Sequence, residues 1–108
     1  PSARKLAPMF PRLFSPLTIG PVELKNHIVF TGHANNLTDD GYPNDRLFAY
    51  QQARARDGPG LIVTEVSSVH PRGWPPGSSL RAFSDECIAH YAPVPEAVLE
   101  GMLAGERV

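Results

Sequence analysis

Two short apolar runs on either side of one helix-patterned segment constrain this chain more than any other feature. The runs are Ile-Val-Phe-Thr at residues 28–31 and Leu-Ile-Val-Thr-Glu at residues 61–65. Neither alternates apolar with polar, as expected of strands buried on both faces. Between them, Asn44 is placed to cap a helix and Asp45 lies in its first turn, where a negative charge favours the helix dipole. The helix predicted over Asp45–Arg56 presents Leu47, Phe48, Tyr50, Ala53 and Ala55, and Gly58-Pro59 stops it. Strand, loop, helix and strand in that order form the unit from which parallel α/β sheets and barrels are built. Such folds bind ligands at the carboxyl ends of their strands. One candidate site therefore lies just after Phe30 and a second just after Glu65.

The rest of the chain is punctuated by twelve prolines and nine glycines. Residues 1–16 form a proline-rich arm carrying Met9, Phe10, Leu13 and Phe14, expected to act as an apolar cover. Residues 17–24 predict a short hairpin with Gly20-Pro21 at its turn. Residues 35–42 read as a loop with Asp40-Gly41 as a turn. Residues 66–83 read as one long loop, of a length that is usually functional. Ser84 and Asp85 cap a turn reaching Tyr91, and a helix is expected over residues 93–100. Its two prolines fall in the first turn, where amides are free anyway. Gly101 is expected to end it.

Composition excludes several function classes. Ten basic and eleven acidic residues give a net charge of −1, with no basic run to follow a phosphate backbone, so nucleic acid is not an expected partner. No apolar stretch approaches the ~18 residues of a transmembrane helix, and a membrane is not expected either. The single cysteine, Cys87, allows no internal disulfide and no metal cluster, which fits a reducing, cytoplasmic setting. The chain opens on Pro1, which suggests a processed or excised segment.

The ordered run Leu-Phe-Ser-Pro-Leu-Thr-Ile-Gly-Pro-Val-Glu-Leu-Lys-Asn from Leu13, followed later by Arg-Ala-Arg-Asp-Gly-Pro-Gly-Leu-Ile-Val-Thr-Glu, resembles the start of the old yellow enzyme (NADH:flavin oxidoreductase) family. The nearest branch is that of 2,4-dienoyl-CoA reductase and trimethylamine dehydrogenase. The resemblance runs from about Pro8 to about Glu100. It implies an α/β fold, the N-terminal portion of a (β/α)8 TIM barrel holding about the first two βα units. Residues 1–27 would be the arm and hairpin that cap the barrel, and residues 28–108 the opening units of an FMN-binding barrel. A whole barrel takes ~250 residues, and the chain would supply roughly a quarter of its eight units.

The resemblance further implies FMN as cofactor and NAD(P)H as electron donor, with hydride passed to an electron-poor alkene or related small molecule. Oxidation of an amine is the alternative within the class. A truncated, non-catalytic barrel segment is the alternative outside it, and the 108 residues alone are expected to be inactive. The implied flavin-contacting residues are Thr31, Gly32, His33 and Ala34 after the first strand and Val66 after the second. Gly32 would let the backbone approach a flat ring. His33 would bond flavin or substrate, or else be an ordinary polar side chain at a strand end. Where trimethylamine dehydrogenase-like proteins carry a flavin-linked cysteine this chain has Ala34, so its FMN would be noncovalent.

Glu65 is expected to point inward, held by a basic partner. His27 stands where the family commonly has arginine, and with His70 and His90 it reads as a surface histidine. Trp74 either lines a substrate mouth or packs its loop. The family's catalytic residues would lie downstream of Val108. The remainder of the barrel, or a second copy of the chain, is the expected partner.

Overall fold

The computed structural model describes residues 3–74 and 79–106. Residues 1, 2, 75–78, 107 and 108 lie outside the described part, so the middle of the loop predicted over residues 66–83 and the two ends of the chain receive no account.

A one-turn helix α1 (Ala3–Leu6) is followed by turns that lead into the hairpin β1 (Leu17–Ile19) and β2 (Val22–Leu24). The hairpin is antiparallel, with Leu17 opposite Leu24. Two bonds tie the arm down. The His27 amide donates to the Leu13 carbonyl, and the His27 ring nitrogen Nδ1 donates to the Ser15 carbonyl at 2.8 Å. Met9, Phe10 and Leu13 are exposed, so among the described residues the apolar cover is only partly packed.

Strand β3 (Val29–Phe30) opens the parallel unit. Residues 38–43 then form a second hairpin, β4 (Thr38–Asp39) and β5 (Tyr42–Pro43), which corrects the expectation of a plain loop. Its two-residue turn is Asp40-Gly41, both with positive φ (51° and 79°). That is the backbone of a type I′ turn, whose twist suits a tight hairpin.

Helix α2 runs over Asp45–Arg56, and the Asn44 side chain accepts a hydrogen bond from the Leu47 amide. Its buried face is Leu47, Gln51 and Ala55, spaced four apart. Strand β6 (Leu61–Ile62) lies parallel to β3, with Val29 opposite Leu61 and Phe30 opposite Ile62. The bonds Gly60 N to Ile28 O and Val63 N to Phe30 O extend the pairing at either end. Both strands are therefore shorter than the apolar runs that announced them.

Buried Asn26 holds the start of this pair. Its Nδ2 donates to the Gly58 carbonyl at 2.7 Å, and its Oδ1 accepts from the Ile28 amide at 3.0 Å. One side chain thus joins the residue before β3 to the turn before β6.

The long loop also contains structure. Strands β7 (Ser67–Ser68) and β8 (Leu80–Arg81) pair in parallel, with a 3-10 turn over Pro71–Gly73 between them. The His70 ring accepts from the Arg72 amide and caps that turn. Helix α3 (Cys87–Tyr91) leads at once into α4 (Pro93–Glu106). Gly101 does not end α4; it is buried in the middle of the helix. A Cβ there would run into the Gln52 carbonyl and sit 2.9 Å from the Ala55 Cβ. Glycine is present because α4 lies directly on α2, the most extensive contact between elements. The fold is mixed α/β, with no closed barrel among the described residues.

Candidate functional site at the carboxyl end of the parallel pair

Because β3 and β6 are parallel, their carboxyl ends open on the same side. Thr31, Gly32, His33 and Ala34 continue from one end, and Val66 follows Glu65 at the other; all five are exposed. Among the described residues, the amides of Gly32, His33 and Ala34 donate no hydrogen bond within the chain. Three free donors thus stand at the end of β3.

The structure gives Gly32 a reason of its own. A Cβ at this position would come within 2.8 Å of the Thr64 carbonyl oxygen and 3.6 Å of a Val63 methyl. Its smallness lets the chain beyond β6 pass close by. The His33 ring nitrogen Nδ1 is 2.8 Å from the Thr31 carbonyl. A carbonyl only accepts, so Nδ1 carries the hydrogen, and in the neutral ring Nε2 is left as a free acceptor. The imidazole also stacks on Phe30, with centroids 5.2 Å apart. The Val66 carbonyl accepts from the Leu80 amide, which leaves its side chain, 56% exposed, for apolar contact.

Behind this edge lies a buried polar group that the sequence only half revealed. Glu65 is 5% exposed, and it has no basic partner among the described residues. Its Oε2 instead accepts a hydrogen bond from the Asn35 amide at 3.2 Å. Burial raises the Glu65 carboxyl above its ordinary value; the amides of Asn35 and Asn36 oppose this and do not overcome it. The Tyr91 hydroxyl lies 3.4 Å from Ser67 Oγ. Burial raises the Tyr91 phenol too; its Ser67 contact opposes the shift, and Cys87, Glu65 and Tyr42 reinforce it. Glu65 Oε1, Asn35 Nδ2 and the Tyr42 hydroxyl are buried without a partner among the described residues.

Further along the loop, the Arg81 guanidinium lies against three rings: Tyr42 at 4.8 Å, Trp74 at 5.0 Å and Phe83 at 5.3 Å. It also pairs with Asp40 at 3.2 Å. Trp74 donates its indole N–H to the Ser79 carbonyl at 2.9 Å, so it packs its loop. His90 stacks on Tyr42 at 3.9 Å. Neither Arg81 nor Tyr91 was distinguishable in the sequence from any other arginine or tyrosine. Asn26 was visible only as part of the Lys-Asn motif.

Parallel strands joined through a helix, with free amides and exposed residues at their carboxyl ends, define an α/β protein of the kind that places ligands at such ends. Residues 12–102 match the model of the NADH:flavin oxidoreductase / NADH oxidase family. The chain belongs to this family. It is 41% identical over 91 residues to the NADH oxidase of Thermoanaerobacter brockii, covering 82% of this chain and 14% of that protein. It is 33% identical over 94 residues to the N,N-dimethylglycine/sarcosine dehydrogenase of Chromohalobacter salexigens, covering 82% of this chain and 13% of that one. Its fold superposes on an old yellow enzyme homologue from Zymomonas mobilis with a TM-score of 0.70 at 26% identity, over 84% of this chain and 25% of that one. The chain thus spans about a seventh of the length of these two curated relatives.

The family is one of FMN-binding proteins that use NAD(P)H. The edge after β3 fits such a group. The flavin ring is flat and accepts hydrogen bonds at N5 and O4, and the free amides of residues 32–34 are donors. Ala34 has no nucleophile with which to form a covalent link.

Proposed function

We propose that this chain supplies the first two βα units of an FMN-dependent oxidoreductase barrel, with residues 1–27 as its cap and residues 28–108 as the opening of the barrel. Thr31, Gly32, His33, Ala34 and Val66 face the flavin. The observation that carries this reading is the set of unpaired backbone amides at the end of β3, in a chain of this family. FMN bound there would supply hydride transfer from NAD(P)H to an electron-poor alkene or related small molecule.

The chain's own residues hold and polarise one edge of the ring. The amides of Gly32, His33 and Ala34 would donate to its acceptor atoms, and Val66 would give apolar contact. His33 keeps Nδ1–H on the Thr31 carbonyl and offers Nε2 to flavin or substrate. The remainder of the barrel covers the exposed strand faces and carries the groups that move protons. The lone cysteine fits a cytoplasmic protein.

The 33% identity to a dimethylglycine/sarcosine dehydrogenase favours a second reading, oxidation of an N-methyl amine. One experiment separates the two. The intact protein is purified and its flavin released by heat and identified. Anaerobic bleaching of the flavin is then followed with NADH, NADPH or dimethylglycine, and reoxidation with cyclohexenone. Bleaching by a nicotinamide and recovery with the enone supports the first reading. Bleaching by dimethylglycine alone supports the second. A protein that carries no flavin sinks both.

A further inference from the structure

Residues 31–36 make few hydrogen bonds to the rest of the chain. The last backbone bond of the β3 edge is Val63 N to Phe30 O, and pairing resumes only in the β4–β5 hairpin. Within the segment the bonds are local: His33 Nδ1 to the Thr31 carbonyl, and the Leu37 amide to Asn35 Oδ1. Asn36 sits at φ 58°, in the left-handed region that most residues avoid. Among the described residues, the hydrogen bonds that link the segment to a distant part of the chain end on Glu65: the Asn35 amide donates to Oε2 across thirty positions of sequence, and the Asn36 amide also acts on the carboxyl. Glu65 is buried just past the carboxyl end of β6, and among the described residues no cation pairs with it.

We propose that Glu65 is a positioning residue for the flavin-contacting segment, its carboxylate oxygen tethering the Asn35 amide so that the amides of residues 32–34 keep a fixed aim. The proposal rests on the flavin reading above. Glu65 does not touch the ring; it acts through the backbone. A carboxylate suits the task because a buried acceptor with two oxygens can reach a backbone amide that no strand pairs. An apolar side chain of the same size would leave that amide without a partner in a buried setting. The acceptor, rather than the charge, does the holding.

The test begins with the intact wild-type protein freed of flavin. Hydrogen exchange, corrected for intrinsic rates, is measured at the amides of His33, Ala34 and Asn35. Asn35 should exchange about tenfold or more slowly than its two neighbours, because it alone is bonded. Equal rates overturn the tether without any variant being made.

Glu65→Met and Glu65→Gln are then compared, with folding checked by circular dichroism. Met should remove the protection of Asn35, weaken FMN binding about tenfold, the worth of one hydrogen bond, and shift the visible flavin band. Gln keeps an acceptor oxygen and should hold Asn35 protection and FMN affinity within about threefold of wild type. A loss in Gln as large as in Met overturns the acceptor role. Loosening of Asn35 by Met with unchanged flavin affinity and spectrum overturns the link to the ring. Wild-type protein that takes up no FMN, while Met still loosens Asn35, overturns the flavin reading and leaves the tether standing.

Discussion

Gly32 and His33 are neighbours under opposite demands. Gly32 is hemmed in by the Thr64 carbonyl, whereas the His33 side chain is exposed and makes one local bond. Gly32→Val should therefore destabilise the protein by about 1–3 kcal/mol, since the crowding falls on backbone that cannot swing aside. His33→Ala should leave the melting temperature almost unchanged. If Nε2 meets flavin or substrate, His33→Ala should cost roughly 0.5–3 kcal/mol in flavin affinity or in the barrier to hydride transfer. Thermal melts and stopped-flow rates on both variants check this, and equal stability in the two would contradict the crowding. Glu65 makes a prediction of a different kind. Its carboxyl is raised in the folded chain, so the native state keeps a proton that the unfolded state has released. Its contribution to stability therefore declines as pH rises from the ordinary carboxylate value through the raised one. In Glu65→Gln this slope should vanish, which urea melts across the acid-to-neutral range would reveal. Tyr91 is shifted in the same direction, but its window lies on the alkaline side and stays clear of this one. The two strand ends that define the candidate site were legible because their apolar runs mark them, and α/β folds place ligands at such ends. The way Glu65 is held was not, since a backbone amide thirty positions away leaves no mark in sequence.

Elements were legible in proportion to their length and their chemical punctuation. Helix α2 has the bounds its caps announce, because Asn44 and Gly58 act locally. Strands β4, β5, β7 and β8 are two residues each, too short for any periodicity to register. The Asp40-Gly41 pair signalled a turn, and only the paired strands show that it closes a hairpin. Gly101 misled for a physical reason. Glycine ends helices when it adopts positive φ, but it also lets two helices touch, and α4 uses it the second way. Two effects then compete in Gly101→Ala. Helix propensity favours alanine by about 0.5–1 kcal/mol, whereas overpacking against the Gln52 carbonyl costs about 1–3 kcal/mol. The overlap should win, and the variant should melt at lower temperature than wild type. A higher melting temperature would mean that α4 can lift from α2 at little cost.

At the scale of the molecule, apolar side chains remain in water where a complete barrel would cover them. Val29, Leu61, Val63 and Val66 are exposed along the parallel pair, and Met9, Phe10 and Leu13 along the arm. A two-strand sheet with such faces and unpaired edges invites association. The 108-residue chain by itself should therefore self-associate in a concentration-dependent way and bind FMN weakly or not at all. Sedimentation should show Val29→Lys with Val63→Lys shifting the chain toward monomer. A monodisperse, stoichiometrically yellow 108-residue chain would contradict both expectations. The packing around Arg81 has one more consequence. The sequence contains a single tryptophan, and its indole is fixed by Ser79 on one side and faces the guanidinium on another. Emission excited from Trp74 thus comes from one known place, the junction of the β4–β5 turn with the loop that ends in β8. Within these residues the chain carries its own optical label, able to report the opening of that junction without any dye being attached.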